Sequence, residues 1–187
     1  MLQFDHVTFT TPRLLLRPLQ PADAAAIFAL RSNPQVSRYT GYATWADMNL
    51  AEEFINRDLQ AMESGEYLRL GVVIRENADL IGTITLFHLD AQCRRAEIGY
   101  DMRPDQWGKG YMNEALLRLL EFGYNDMVLN RIEADVDPDN LGSINTLKRL
   151  GFQHEGLLRE RWIVNGAKFD TAFFGLLHAD WLAQQPR

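Results

Sequence analysis

Glu97 to Tyr124, EIGYDMRPDQWGKGYMNEALLRLLEFGY, is the stretch whose reading decides the fold. It opens inside a strand over Arg95–Met102, which Pro104 stops: proline has no N–H for a ladder and restricts Arg103 before it. From Met112 the apolar residues fall at Met112, Ala115, Leu116, Leu119, Leu120 and Gly123. That is the spacing of one buried helical stripe and predicts a helix over Gly110–Asp126. Between strand and helix, Gly108 and Gly110 let the backbone turn tightly and leave its N–H groups uncovered by side chains. Those groups, with the positive end of the helix dipole behind them, make an anion site suited to a pyrophosphate. The spacing is neither that of a P-loop nor that of a dinucleotide fingerprint, since Gly108-Lys109-Gly110 runs on to Asn113. A strand-to-helix turn that uses glycine for geometry alone reads the same way, and this stretch by itself does not separate the two.

Upstream, Arg13–Arg17 (RLLLR) is a short apolar strand stopped by Pro18. Pro21-Ala22-Asp23 opens a helix that buries Ala24, Ile27 and Phe28 and that Pro34 ends. The loop Gln35–Trp45 carries Tyr39, Tyr42, Trp45 and Arg38; rings so placed either line a ligand cleft or cover the core edge. Thr44 and Asp47 resemble a capping box for a second helix reaching about Ser64, with Ala51, Phe54, Ile55, Leu59 and Met62 on one side. Strands Tyr67–Arg75 and Leu80–His88 flank the turn Glu76–Asp79. Downstream, Arg131–Asp137 alternates Ile132, Ala134 and Val136 with charged residues, as a half-exposed strand does. Asn140 caps a helix with Ile144, Leu147 and Leu150 that Gly151 closes. Leu157–Val164 and Lys168–Leu177 form a hairpin at Asn165-Gly166.

The order is β-αα-βββ-α-β-α-ββ, an α/β fold on a mixed sheet. Its one strand–helix–strand crossover, Arg95–Asp137, is expected to be parallel and right-handed, with a crevice at the C-terminal ends of its strands. With no repeat, linker or low-complexity segment, one domain over residues 1–187 is expected.

A net charge of −6 argues against a general affinity for nucleic acid and suits a basic partner. Cys93 is the single cysteine, which excludes an internal disulfide and a cysteine-based zinc cluster. No apolar run approaches the roughly 20 residues of a membrane span, and MLQFDHVTFTTPR lacks a basic stretch followed by an apolar one. A cytoplasmic protein without signal peptide or membrane contact is expected.

Four pieces in order, TPRLLLRPLQPADA, AEIGYDMRPDQWGKGYMNEAL, NLGSINTLKRLGF and HEGLLRERWIVNGAKFDTAFFGLLHADW, span almost the whole chain. Together they resemble the GNAT superfamily of N-acetyltransferases, and within it the RimJ/RimL branch that acetylates the N-termini of ribosomal proteins. The resemblance implies acetyl-CoA as co-substrate and no metal. It implies that Met102, Tyr100 and nearby backbone groups hold the pantetheine. Trp107, Gly108, Lys109, Gly110, Tyr111, Met112 and Asn113 would wrap the pyrophosphate, with Asn140 beside them. The implied acceptor is a basic protein N-terminus. A small amine (polyamine, amino acid or antibiotic) and a non-catalytic CoA-binding module are the alternatives, and a homodimer is admitted. Two departures stand out. Asp105 occupies a position where the superfamily often has Gln or Arg. Leu147 stands where many members carry a proton-donating tyrosine, whereas the RimJ/RimL branch has a serine three residues after the asparagine, here Ser143.

Acetyl transfer to an amine needs a base, a polarised thioester carbonyl and help for the departing sulfur. Glu97, on the crossover strand, is the first candidate base; the same residue would serve as an exposed strand carboxylate paired with Arg95 or Arg131. Glu160 is the second candidate. Ser143 is the candidate donor to sulfur, although a serine there would also bond the backbone of a helix start, as Asn140 would. His88 and His154 lack partners at metal-ligand spacing and read as structural. Cys93, beside Arg94 and Arg95, shows no base for a nucleophilic role.

Overall fold

The computed structural model describes residues 3–164 and 166–184. Among these, the strands are β1 (Phe9–Thr10), β2 (Leu14–Arg17), β3 (Leu68–Ile74), β4 (Leu80–Asp90), β5 (Arg95–Met102), β6 (Arg131–Val136), β7 (Gln153–Val164) and β8 (Ala167–Leu177). They form one sheet in the order β1-β2-β3-β4-β5-β6-β8-β7. Every neighbouring pair is antiparallel except β5 and β6, which the crossover helix α4 (Tyr111–Asn125) joins in parallel. The mixed α/β sheet expected from the sequence is the one formed. No helix among the described residues is long and apolar enough to cross a membrane.

Strand periodicity divides β5 between two faces. Ala96, Ile98 and Met102 enter the larger core, where Ala115, Leu116, Leu119 and Leu120 of α4 meet Leu147 of α5 (Leu141–Arg149). Each leucine so buried contributes about 1.5–3 kcal/mol relative to exposure. The opposite face of the sheet is covered in part by α1 (Ala24–Arg31) and α3 (Asn49–Glu63), which bring Ile27, Ala51, Phe54 and Ile55 against Val73 and Leu80. On that face Asp101 accepts hydrogen bonds from Thr83 and from the Arg31 guanidinium. Arg31 in turn lies 4.4 Å from the Tyr42 ring and 4.2 Å from the Phe54 ring. Tyr42 therefore covers the core edge.

The structure adds elements that the pattern did not reveal and moves two boundaries. β1 is two residues long and carries no readable period. Pro34 does not end a helix; it begins the four-residue α2 (Pro34–Ser37), which Asn33 caps by accepting Gln35 N–H at 2.9 Å. The Thr44/Asp47 capping box does not form: Thr44 bonds Ser37 Oγ at 2.6 Å, and Asp47 accepts Asn49 N–H at 3.0 Å. β7 starts four positions earlier than predicted, at Gln153. A last helix, α6 (His178–Gln184), packs Trp181 5.2 Å from Tyr124. Of the predicted Asn165-Gly166 turn, Asn165 lies outside the described residues; Val164 pairs with Ala167 across it.

Candidate active site

β5 and β6 share only Arg95↔Arg131, Ala96↔Ile132 and Glu97↔Glu133. Beyond that last pair β5 stays with β4 as far as Gly82↔Met102, while β6 follows β8 from Ala134↔Phe174 to Val136↔Ala172. The sheet therefore parts. Arg103 N–H bonds the Ile81 carbonyl at 2.9 Å, and the alternation of an antiparallel ladder then turns the backbone groups of Ile98, Tyr100 and Met102 away from β4. The Ile98 N–H serves the last bridge to β6, and the Ile98 carbonyl with both groups of Tyr100 and Met102 faces the gap. Such groups need partners, and an extended ligand in the gap would provide them. The Met102 carbonyl already accepts the indole N–H of the half-exposed Trp107 at 2.8 Å.

Tyr100 bridges this gap. Its hydroxyl lies 2.6 Å from Ser143 Oγ and 3.3 Å from the Ser143 carbonyl, on the first turn of α5. Burial pushes the Tyr100 phenol up to about 12, so it stays protonated through neutral pH. The helix cap belongs to Asn140, whose Oδ1 accepts Ser143 N–H at 3.1 Å. The Ser143 hydroxyl is thus not spent on capping. Leu147 is fully buried in the core.

At the C-terminal end of β5, Gly108 and Gly110 have φ of +75° and +80°, the left-handed region that glycine alone adopts freely. A Cβ at Gly108 would meet nothing within 4 Å, so its open face is available to a ligand. Tyr111, Met112 and Asn113 follow, half-buried, in the first turn of α4. Arg13 braces the turn: it donates to the Lys109 carbonyl at 2.9 Å and to Glu114 at 2.6 Å, and its guanidinium lies 4.5 Å from the Tyr111 ring centre. Burial alone would raise the Glu114 carboxyl, but hydrogen bonds from Thr11 and Arg13 outweigh it and hold it low. Asp105, which should repel phosphate, is bound by Arg103 at 2.9 Å and drops to about 2. Its charge is thereby largely matched. Lys109 Nζ is hydrogen-bonded to Gln106 Oε1 at 3.0 Å.

On the other face of β5, Glu97 is paired with neither Arg95 nor Arg131. Those arginines hold Glu133, at 2.9 and 2.7 Å. Glu97 instead contacts His88 Nδ1 at 2.9 Å, with only 12% of its side chain exposed. Burial raises its carboxyl; the His88 contact opposes this and nearby Asp135 adds to it. His88, read as structural from the sequence, thus touches the candidate base. It does so because β4 carries a register shift between Phe87 and Asp90 that puts His88 at φ +49°. The expected half-exposed face of β6 is also more enclosed than the alternation implied, Glu133 at 12% and Asp135 at 6%. Phe173, Leu158 and Arg161 of the β7–β8 hairpin line, with His88, Arg95, Glu97 and Glu133, a cleft of about 340 Å³. Glu160 is exposed, paired with Lys168 at 2.6 Å and outside that lining. His154 packs on Phe174. Cys93 is exposed, and a hydrogen bond to Asp90 pushes its thiol up, away from nucleophilic use. Among the described residues no three His, Cys, Asp or Glu side chains are grouped to hold a metal.

The profile of the acetyltransferase (GNAT) domain family matches residues 13–153. An uncharacterized N-acetyltransferase, p20 of Bacillus licheniformis, is 36% identical over 174 residues, spanning 93% of this chain and 98% of that protein. Among solved structures, a Vibrio cholerae spermidine N-acetyltransferase in complex with CoA and spermine superposes with a TM-score of 0.80 at 24% identity, over 92% of this chain and 99% of that one. The ribosomal-protein-S5-alanine acetyltransferase of Vibrio fischeri does so with a TM-score of 0.82 at 22% identity, over 96% and 100%. At such identities these two report the fold and leave the acceptor open.

Proposed function

This chain belongs to the acetyltransferase (GNAT) family, and from that premise we propose that it transfers the acetyl group of acetyl-CoA to the N-terminal α-amine of a protein, with Glu97 as base. Acetyl-CoA supplies the thioester carbonyl that the amine attacks. The residues fit it. Backbone groups of Ile98, Tyr100 and Met102 face the gap where the pantetheine arm would lie. The turn of Trp107, Gly108, Lys109 and Gly110, followed by Tyr111, Met112 and Asn113, offers uncovered N–H groups and open space for the pyrophosphate. Asn140 serves at one remove, capping the helix that carries Ser143. We assign both substrate sites to one domain spanning residues 1–187.

The observation that carries this reading is Glu97: a carboxylate shielded from water, raised by burial, at the last pair before the sheet parts. A base whose affinity for protons rises toward the working pH is a better partner for an ammonium. An α-amine near 7.7–8.0 is about 2.5 pK units, or 3.5 kcal/mol, easier to deprotonate than lysine near 10.4. Ser143, its hydroxyl partnered by Tyr100, donates to the sulfur as it leaves. That sulfur has a thiol pKa near 8.5, so one hydrogen bond is sufficient help.

A second reading, a polyamine acceptor, is favoured by Asp135 on the same face as Glu97, a carboxylate that a second cationic nitrogen could use. Release of free thiol from acetyl-CoA, followed for basic N-terminal peptides against spermidine and spermine, tests both. Peptide-dependent release with inert polyamines supports the first reading; the reverse result replaces it by the second.

A further inference from the structure

We propose that Asp135 is the subsite that binds the acceptor's ammonium group, holding it beside Glu97. This rests on the amine-acceptor reading above. Asp135 lies two residues beyond Glu133, the last residue of β6 paired with β5, and strand alternation places it on the same face as Glu97 and Glu133. Asp135 is not itself on the cleft wall; its rung partner Phe173 and its ion-pair partner Arg161 both line the cleft, and it adjoins the cleft through them. Its side chain is 6% exposed. Oδ2 accepts from Arg161 Nε at 3.3 Å, but Oδ1 is buried and has no hydrogen-bond partner among the described residues. A buried carboxylate oxygen without a donor is costly, and a cationic ligand would remove that cost.

The charges around it leave this role open to Asp135 and not to its neighbours. Glu133 is held by both Arg95 and Arg131, and Arg131 also binds Glu155. His88 is on Glu97. What remains for an incoming cation is the free oxygen of Asp135 together with Glu97. An ammonium carries three N–H donors, enough for both carboxylates at once. One proton passes from the ammonium to Glu97, giving the neutral amine and a protonated carboxyl. Arg161 is 48% exposed, on a stretch of β7 with a register shift between Leu158 and Trp162. It is a resident cation on the outer oxygen and competes weakly with the acceptor.

The test pairs Asp135→Asn with Arg161→Ala and reads KM for the acetylated amine, acetyl-CoA affinity and melting temperature on each. Loss of a hydrogen bond between charged groups should raise the amine KM about 10- to 100-fold in Asp135→Asn, with acetyl-CoA affinity unchanged. Removing the exposed Arg161 should lower the same KM about two- to fivefold, the worth of a partly solvated ion pair. A purely structural Asp135–Arg161 pair predicts instead that both variants lose in parallel. An unchanged amine KM in folded Asp135→Asn, or a raised or unchanged one in Arg161→Ala, overturns the proposal. Failure of the functional reading itself is separately visible, because the wild type would then acetylate neither peptide nor spermidine. Calorimetric binding of spermidine to the wild type and to Asp135→Asn still decides: weaker binding by the variant supports the subsite, equal binding overturns it.

Discussion

Replacing Ser143 by alanine separates a hydroxyl that serves the leaving sulfur from one that serves only the fold, because the structure assigns a small and calculable stability cost. The helix cap survives, since it runs from Ser143 N–H to Asn140 Oδ1. Tyr100 loses its 2.6 Å partner but keeps the Ser143 carbonyl at 3.3 Å, so its buried phenol is weakened in its contacts and not orphaned. One net hydrogen bond is worth about 0.5–1.5 kcal/mol, which for a protein of this size lowers Tm by about 2–4 °C per kcal/mol. The catalytic expectation is larger. A hydrogen bond to a group gaining charge is worth about 1.5–3 kcal/mol, or about 10- to 150-fold in kcat. Acetyl-CoA affinity should barely move, because the interaction strengthens only as sulfur becomes anionic. Thiol release, Tm and calorimetric affinity measured on one preparation decide the matter. A Tm lowered by a few degrees with kcat within about threefold of the wild type, too little for a positioned donor, would remove Ser143 from the mechanism. Tyr100→Phe sharpens the test: if the two hydroxyls act as a unit, the double variant is no slower than the worse single one.

Glu97→Gln should slow turnover about 10²- to 10⁴-fold and spare acetyl-CoA binding; a loss under threefold would pass the role to water, since Glu160 lies outside the cleft. As the proposed base, Glu97 would act when deprotonated, and burial raises its carboxyl above the ordinary value of 4.5. In the wild type kcat/KM should therefore rise with pH through a limb above that value, and this limb should be missing from the Gln variant. Gly110→Val places a β-branched residue at φ +80° with Arg13 Nη2 3.4 Å from its Cβ. It should weaken acetyl-CoA binding by calorimetry, and unchanged affinity in a folded variant would make the turn a turn only. Arg13→Lys keeps the charge but loses the forked contact to Lys109 O and Glu114; KM for acetyl-CoA should rise severalfold with kcat unchanged, and a kcat loss at constant KM would count against a bracing role.

Local pattern made the centre of the fold legible. The strand Arg95–Met102, the glycine turn and the helical stripe through Leu120 all depend on residues close in sequence, and they form where the periods put them. What escaped the pattern depends on distant partners or on length. Tyr100 and Ser143 are 43 residues apart, and nothing in either neighbourhood announces that a phenol will meet a serine hydroxyl. Arg13 was readable as part of an apolar strand; its contacts to Lys109 and Glu114 appear only when β2 is laid near α4. Asp135 alternates with Ile132, Ala134 and Val136 like any solvated strand residue, and it is the hairpin β7–β8 that brings Arg161 and Phe173 against it. α6 follows β8 without a break, so no glycine or proline marked its start at His178.

Strand periodicity also constrains how the proposed chemistry can be arranged. Glu97 and Tyr100 differ by an odd number of positions on one strand, so they must face opposite sides of the sheet. Tyr100 meets Ser143 on the side of α4 and α5, while Glu97 meets His88 and lines the cleft on the other. A base and a donor to sulfur on opposite faces cannot serve one reaction through an intact sheet, because the backbone ladder would stand between them. The ladder ends at Glu97↔Glu133, the pair that includes the proposed base, and Tyr100 lies three residues further along the unpaired edge. On this reading the gap is where an acyl group presented from the α4–α5 side becomes reachable by an amine held on the Glu97 side. Substitutions that let β5 and β6 zip further should therefore abolish transfer while leaving the glycine turn and the Glu97 cleft intact.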